Sequence, residues 1–216
     1  MMSDSFSVVR QAHRICAAYY QQILPVINET AQRLETTFVC WKVWGSDNLP
    51  SKRKNPLDPL MYWKWSFLPA MDISFVFSYQ QERGTQPSGE DFVLDFRLVT
   101  DSEFRMEQFP ESYDPHEEPL ATELLVSTKD STSYLNVYLF SVTKDTKTYE
   151  SPYKLWDNYD GYPKTDSQVH LSDDDNLKAI GFALELKEIA QDDACNLLTE
   201  KINAHLARLF AHETKK

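Results

Sequence analysis

Only five glycines occur among 216 residues. That is few for a chain with many strand-like segments. It excludes an all-β barrel built on tight glycine turns, and a glycine-rich nucleotide fold. No apolar run reaches 18 residues, so no transmembrane helix and no membrane partner are predicted. The first ten residues lack a basic segment followed by an apolar stretch and do not read as a signal peptide. The three cysteines, Cys16, Cys40 and Cys195, are widely spaced and odd in number. They suit reduced core thiols in a cytoplasmic protein better than a disulfide framework.

Motifs that commit a chain to a chemistry are missing too. There is no Gly-x-Gly-x-x-Gly, no Gly-x-x-x-x-Gly-Lys and no Gly-x-Ser-x-Gly, hence no phosphate-cradling loop and no nucleophile elbow. The five histidines never pair at three or four residues. His205 and His212 are seven apart and fit the negative end of a closing helix. Asp173-Asp174-Asp175 lacks the glycine and twelfth-position acid of an EF-hand loop. No catalytic residue, resident metal or cofactor is assigned.

What is present is a helix, an aromatic strand-rich middle and a second helix. Phe6, Val9, His13, Cys16, Tyr20, Ile23, Ile27, Thr30 and Leu34 recur at steps of three and four, which places them on one helix face over residues 4–37. His13, on that stripe, reads as a packed, hydrogen-bonded histidine. Pro25 lacks a backbone donor and predicts a kink or break over residues 21–25. From Phe38 to about Lys187 the period falls to two, the mark of half-buried strands. Ile73, Phe75, Phe77 and Tyr79 alternate with Ser74, Val76 and Ser78. Phe92, Leu94, Phe96 and Leu98 alternate with Val93, Asp95, Arg97 and Val99. The two runs predict an antiparallel hairpin. Residues 123–127 and 133–142 predict a second. Residues 180–188 form a further strand, and a closing helix starts near Asp192 or Asp193 to bury Leu198, Ile202, Leu206 and Leu209. The fold class is therefore α+β. It is a single domain over residues 1–216, with a mainly antiparallel sheet of about five to seven strands, a long kinked N-terminal helix, and a C-terminal helix packed on one face. The nine-position stripe is longer than one small sheet needs. It predicts a homodimer formed partly through the first helix.

The net charge is −11. Residues 1–64 hold eight Lys/Arg against five acids, leaving −14 to the remainder. Acid concentrates in residues 101–118 and 157–175. Such a surface repels duplex nucleic acid and suits a basic partner protein, steered by its field.

Three constellations bear on function. Asp174 followed by Glu185-Leu186-Lys187 resembles the PD-(D/E)XK nuclease pattern. There, two carboxylates hold a divalent metal and a lysine orients water or stabilises charge. The resemblance implies a divergent metal-dependent nuclease; a cross-strand ion pair is the plainer reading. Trp41, Trp44, Tyr62, Trp63, Trp65 and Phe67 flank Lys52-Arg53-Lys54, a set that could stack single strands or simply fill a core. Finally, Tyr149, Tyr153, Trp156, Tyr159 and Tyr162 interleave with Asp157 and Asp160. Rigid aromatic area with polar handles reads as a recognition surface; the alternative is a loop that closes over the sheet and buries its rings. The expectation is a non-catalytic cytoplasmic protein-binding chain of the inhibitor or immunity type, with the nuclease as the rival.

Overall fold

The computed structural model describes residues 5–44, 71–81, 87, 89–104, 124, 126–143, 149–159, 161–174 and 176–211. The chain runs α1 (Ser5–Arg33), β1 (Thr37–Val43), β2 (Asp72–Tyr79), β3 (Phe92–Val99), β4 (Tyr134–Val142), α2 (Pro152–Asp157), β5 (Asp166–Leu171), β6 (Leu177–Glu185), α3 (Leu186–Ile189) and α4 (Ala194–Ala211). The six strands form one antiparallel sheet in the order β1-β2-β3-β4-β6-β5. The fold is α+β, with both long helices on one face of the sheet.

Alternation decides which side chains meet which layer. Phe92, Leu94, Phe96 and Leu98 of β3, with Leu135, Val137 and Leu139 of β4, point to the helices. They pack on Ile23, Ile27 and Ala31 of α1 and on Leu198, Ile202, Leu206 and Leu209 of α4. Burying each such aliphatic side chain contributes about 1.5–3 kcal/mol.

Several expectations need correction. Pro25 does not interrupt α1. A proline removes a single helical hydrogen bond, and buried Ile23 and Ile27 on either side hold the segment helical. The helix also stops at Arg33 rather than Thr37. Glu35 adopts a left-handed φ of 56°, and the N–H groups of Glu35 and Thr36 donate to the carbonyls of Gln32 and Ala31. That pair of bonds is a Schellman C-cap. Only the second half of the apolar stripe enters the core. His13 is exposed, as are Val8, Val9 and Ile15.

The second hairpin does not form. Both edges of β4 are occupied, by β3 and β6, and the described residues of the expected partner strand, 124, 126 and 127, are not in a strand. The turn expected near Lys129 to Ser131 does form, with the N–H groups of Asp130 and Ser131 donating to the Ser127 carbonyl. The strand predicted over residues 180–188 ends at Glu185. Glu188 accepts a hydrogen bond from the Glu185 N–H at 3.0 Å, starting α3 where the strand was expected to continue. The basic triplet Lys52-Arg53-Lys54, with Tyr62, Trp63, Trp65 and Phe67, lies outside the described residues, as does His212.

Candidate functional site

The face of the sheet turned away from the long helices carries the unusual chemistry. Its floor begins with a β-bulge in β1. Phe38 pairs with Phe77, but Cys40 pairs with Val76. The extra residue shifts the alternation, so Phe38 faces the helices while Cys40, Lys42 and Trp44 face the other way. Ser74 of β2, Asp95 and Arg97 of β3, and Asn136 and Tyr138 of β4 complete the floor. On β6, Gly181 stands opposite Tyr138. A Cβ there would lie 2.7 Å from Tyr138 Cδ1, so only glycine lets that ring lean across the strand.

Residues 149–159 and 161–165 cap this floor. Ser151 accepts from the Lys154 N–H at 3.2 Å, and Pro152 fills the first helical turn. Both are standard devices for starting a helix. The short α2 so formed buries Leu155 and Trp156.

Cap and floor meet at Asp95, whose side chain is fully buried. Its Oδ2 accepts from Trp156 Nε1 at 2.9 Å, Tyr162 Oη at 2.5 Å and Ser74 Oγ at 3.2 Å. Trp44 Nε1 donates to Ser74 Oγ at 2.9 Å. The other carboxylate oxygen, Oδ1, has no hydrogen-bond partner among the described residues. Burial drives the Asp95 carboxyl up to about 6; the bonds from Tyr162, Trp156 and Ser74, and the charge of Arg97, oppose that rise without cancelling it. Tyr162 is pushed up as well, by burial and then by the neighbouring Asp95 charge, so it remains a donor at neutral pH. Cys40 is an inert thiol: burial, with Asp95 and Asp157 nearby, raises it to about 11.

Arg97 lies beside this network and is also buried. Burial works against its charge, but Nε and Nη2 donate to the two Asp72 oxygens at 2.8 and 2.7 Å, and its net shift is upward. Its guanidinium lies 5.0 Å from the centroids of both Trp44 and Tyr162. Above these residues opens a cavity of about 800 Å³. Lys42, Trp44, Arg97, Asn136, Tyr138, Trp156, Tyr162 and Lys164 all line it.

The predicted aromatic cluster is brought together, largely inward. Tyr149, Trp156 and Tyr159 are buried in the second core, with Trp156 6% exposed. Tyr162 is half-buried in the cavity wall. Tyr153, 40% exposed, packs against the Trp156 ring at 6.0 Å, and exposed Asp157 stands at the rim of the cavity. Asp160 lies outside the described residues. The nuclease-like trio is not assembled. Asp174 precedes β6 and Glu185 ends it, so the two are separated by roughly 27 Å of strand at about 3.3 Å per residue. Asp174 accepts from Ser172 Oγ and the Asn176 N–H, and Glu185 pairs with exposed Lys187.

His205 is likewise a packing residue. Its ring stacks on Phe182 at 4.3 Å, and burial lowers its pKa, against the dipole expectation. Sequence reasoning missed Asp95, Ser74, Lys42, Arg97 and Lys164. The available signal was the pairing of Asp95 and Arg97 inside a strand otherwise made of apolar residues.

Among the described residues no helix is long and apolar enough to cross a membrane. No curated protein matches the chain, and no solved structure matches it. The PM0109 family model matches residues 1–209, and the chain belongs to the PM0109 family.

Proposed function

We propose that this chain is a non-catalytic cytoplasmic binding protein of the inhibitor or immunity type, which recognises a basic partner protein through exposed groups of the cap. The carrying observation is that Trp156 pins α2 to buried Asp95, which fixes two exposed groups of the cap, Tyr153 against the Trp156 ring and Asp157 at the cavity rim. A rigid aromatic beside an acid costs little entropy to use in binding. The net charge of −11 supplies attraction to a basic surface. Trp156 and Tyr159 are poor probes of this idea, because truncating buried rings disturbs the cap itself. The suitable test is a pull-down from the native cell with wild type and a Tyr153→Ala/Asp157→Ala variant. A partner recovered by wild type, released by salt and lost with the variant supports the reading. Equal recovery of every partner by both proteins removes the cap from it.

We also propose association with a second copy through the first half of α1. There Val8, Val9 and Ile15 are exposed on the helix whose later turns enter the core. Light scattering at micromolar concentration should give twice the 25.1 kDa chain mass, reverting to the monomer in a Val9→Glu/Ile15→Glu variant. A wild-type monomer ends that proposal.

A further inference from the structure

Independently of any partner protein, we propose that the cavity over the second sheet face binds a small aromatic anion, a flat apolar body carrying a carboxylate or phosphate group. Two observations carry this. The walls are aromatic rings held in fixed positions. Tyr138 and Tyr162 have centroids 4.5 Å apart, Trp44 meets Tyr162 at 5.5 Å and Trp156 at 6.2 Å, and the Asp95 network ties three of these four side chains together. Such surfaces accept a flat ring by stacking or edge contact.

The second observation is a mismatch of charge. The carboxylates at this site are engaged: Asp72 with Arg97, Asp95 with three donors, and Asp157 with Lys154 at 3.7 Å. The ammonium groups of Lys42 and Lys164, both lining the cavity, have no carboxylate partner among the described residues. Lys42 Nζ rests 3.9 Å from the Trp44 ring centroid and 5.7 Å from that of Trp156. This holds it above the aromatic wall, where a ligand's charge would meet it. In a chain of net charge −11, a pocket presenting unpaired cations is a local reversal of sign. It selects an anion from a protein that otherwise repels anions.

The test is isothermal titration of the full chain with three probes: 1-naphthoate, adenosine monophosphate and 1-naphthylmethylammonium. Saturable one-to-one binding of either anion is expected, at least tenfold tighter than the cation. Tighter binding of the nucleotide would assign a phosphate-bearing ligand, and tighter binding of naphthoate an aryl carboxylate. Lys42→Ala and Lys164→Ala, both at exposed positions, should each weaken binding about fivefold, the upper range for a part-exposed ion pair. Lys129→Ala, which does not line the cavity, should change nothing. Three outcomes would overturn the proposal: no saturable binding of either anion, equal affinity for the cation, or full affinity retained in the Lys42→Ala/Lys164→Ala double variant.

Discussion

At Asp95, among the described residues, one buried oxygen receives every donor and its twin receives none. Its carboxyl is raised by burial to about 6 from an ordinary 3.8. The folded state therefore holds this proton more tightly than the unfolded chain does. Stability through this group is fully present below pH 3.8 and is lost as pH rises through about 6. The shift corresponds to an amount on the order of 3 kcal/mol. In Asp95→Asn the component disappears. The variant's stability relative to wild type should rise by up to that amount between pH 4 and pH 7, measured by urea unfolding across the range. A difference that stays flat with pH would refute the buried ionisation. Arg97 and Asp72 behave differently, since each neutralises the other at about 5% exposure. Arg97→Ala strands a carboxylate in the second face and should cost about 3–5 kcal/mol, read as a lower urea midpoint at pH 7. These residues were visible as a polar face of β3, but their burial was not. Two of the three donors to Asp95, Trp156 and Tyr162, come from more than sixty residues further along, and alternation within a strand carries no information about what will cover it.

Elements were read better than their ends. Strands β2, β3 and β4, with the two long helices, follow from apolar periodicity, because a buried face repeats with the element's own geometry. The bulge in β1 was hidden, since a one-residue insertion leaves composition untouched while redirecting Lys42 and Trp44 into the cavity. The end of α1 was hidden because its cap uses Glu35 where glycine is usual. A non-glycine residue in the left-handed region costs about 1 kcal/mol. Glu35→Gly should accordingly raise stability by roughly that amount, visible as a higher midpoint with unchanged slope in urea; a lower midpoint would mean that the Glu35 side chain contributes more than its backbone costs. Gly181 is the opposite case. Gly181→Ala forces Tyr138 or the Lys164 carbonyl to move and should destabilise by about 1–3 kcal/mol. Near-ultraviolet circular dichroism of the cavity rings is the check on whether Tyr138 has shifted.

Across the whole molecule, burial is graded from the middle of the sheet outward. Every residue of β3 is buried, and β4 nearly so, because α1 and α4 cover one face and the cap covers the other. Edge strand β1 exposes Phe38 and Trp41, and the first half of α1 exposes Val8, Val9 and Ile15. Local opening free energy follows such a gradient. Amide exchange at a concentration low enough to keep the chain monomeric should be slowest in β3 and β4. It should be faster in β1 and β5, and fastest in residues 8–15, whose helical hydrogen bonds lie under little apolar cover. Raising the protein concentration separates the monomer from the proposed dimer. A second copy docked on α1 adds protection to residues 8–15 by mass action while β3, already closed, exchanges no more slowly than global unfolding permits. Protection of residues 8–15 that does not change with concentration would remove α1 from the dimer, even if light scattering found one.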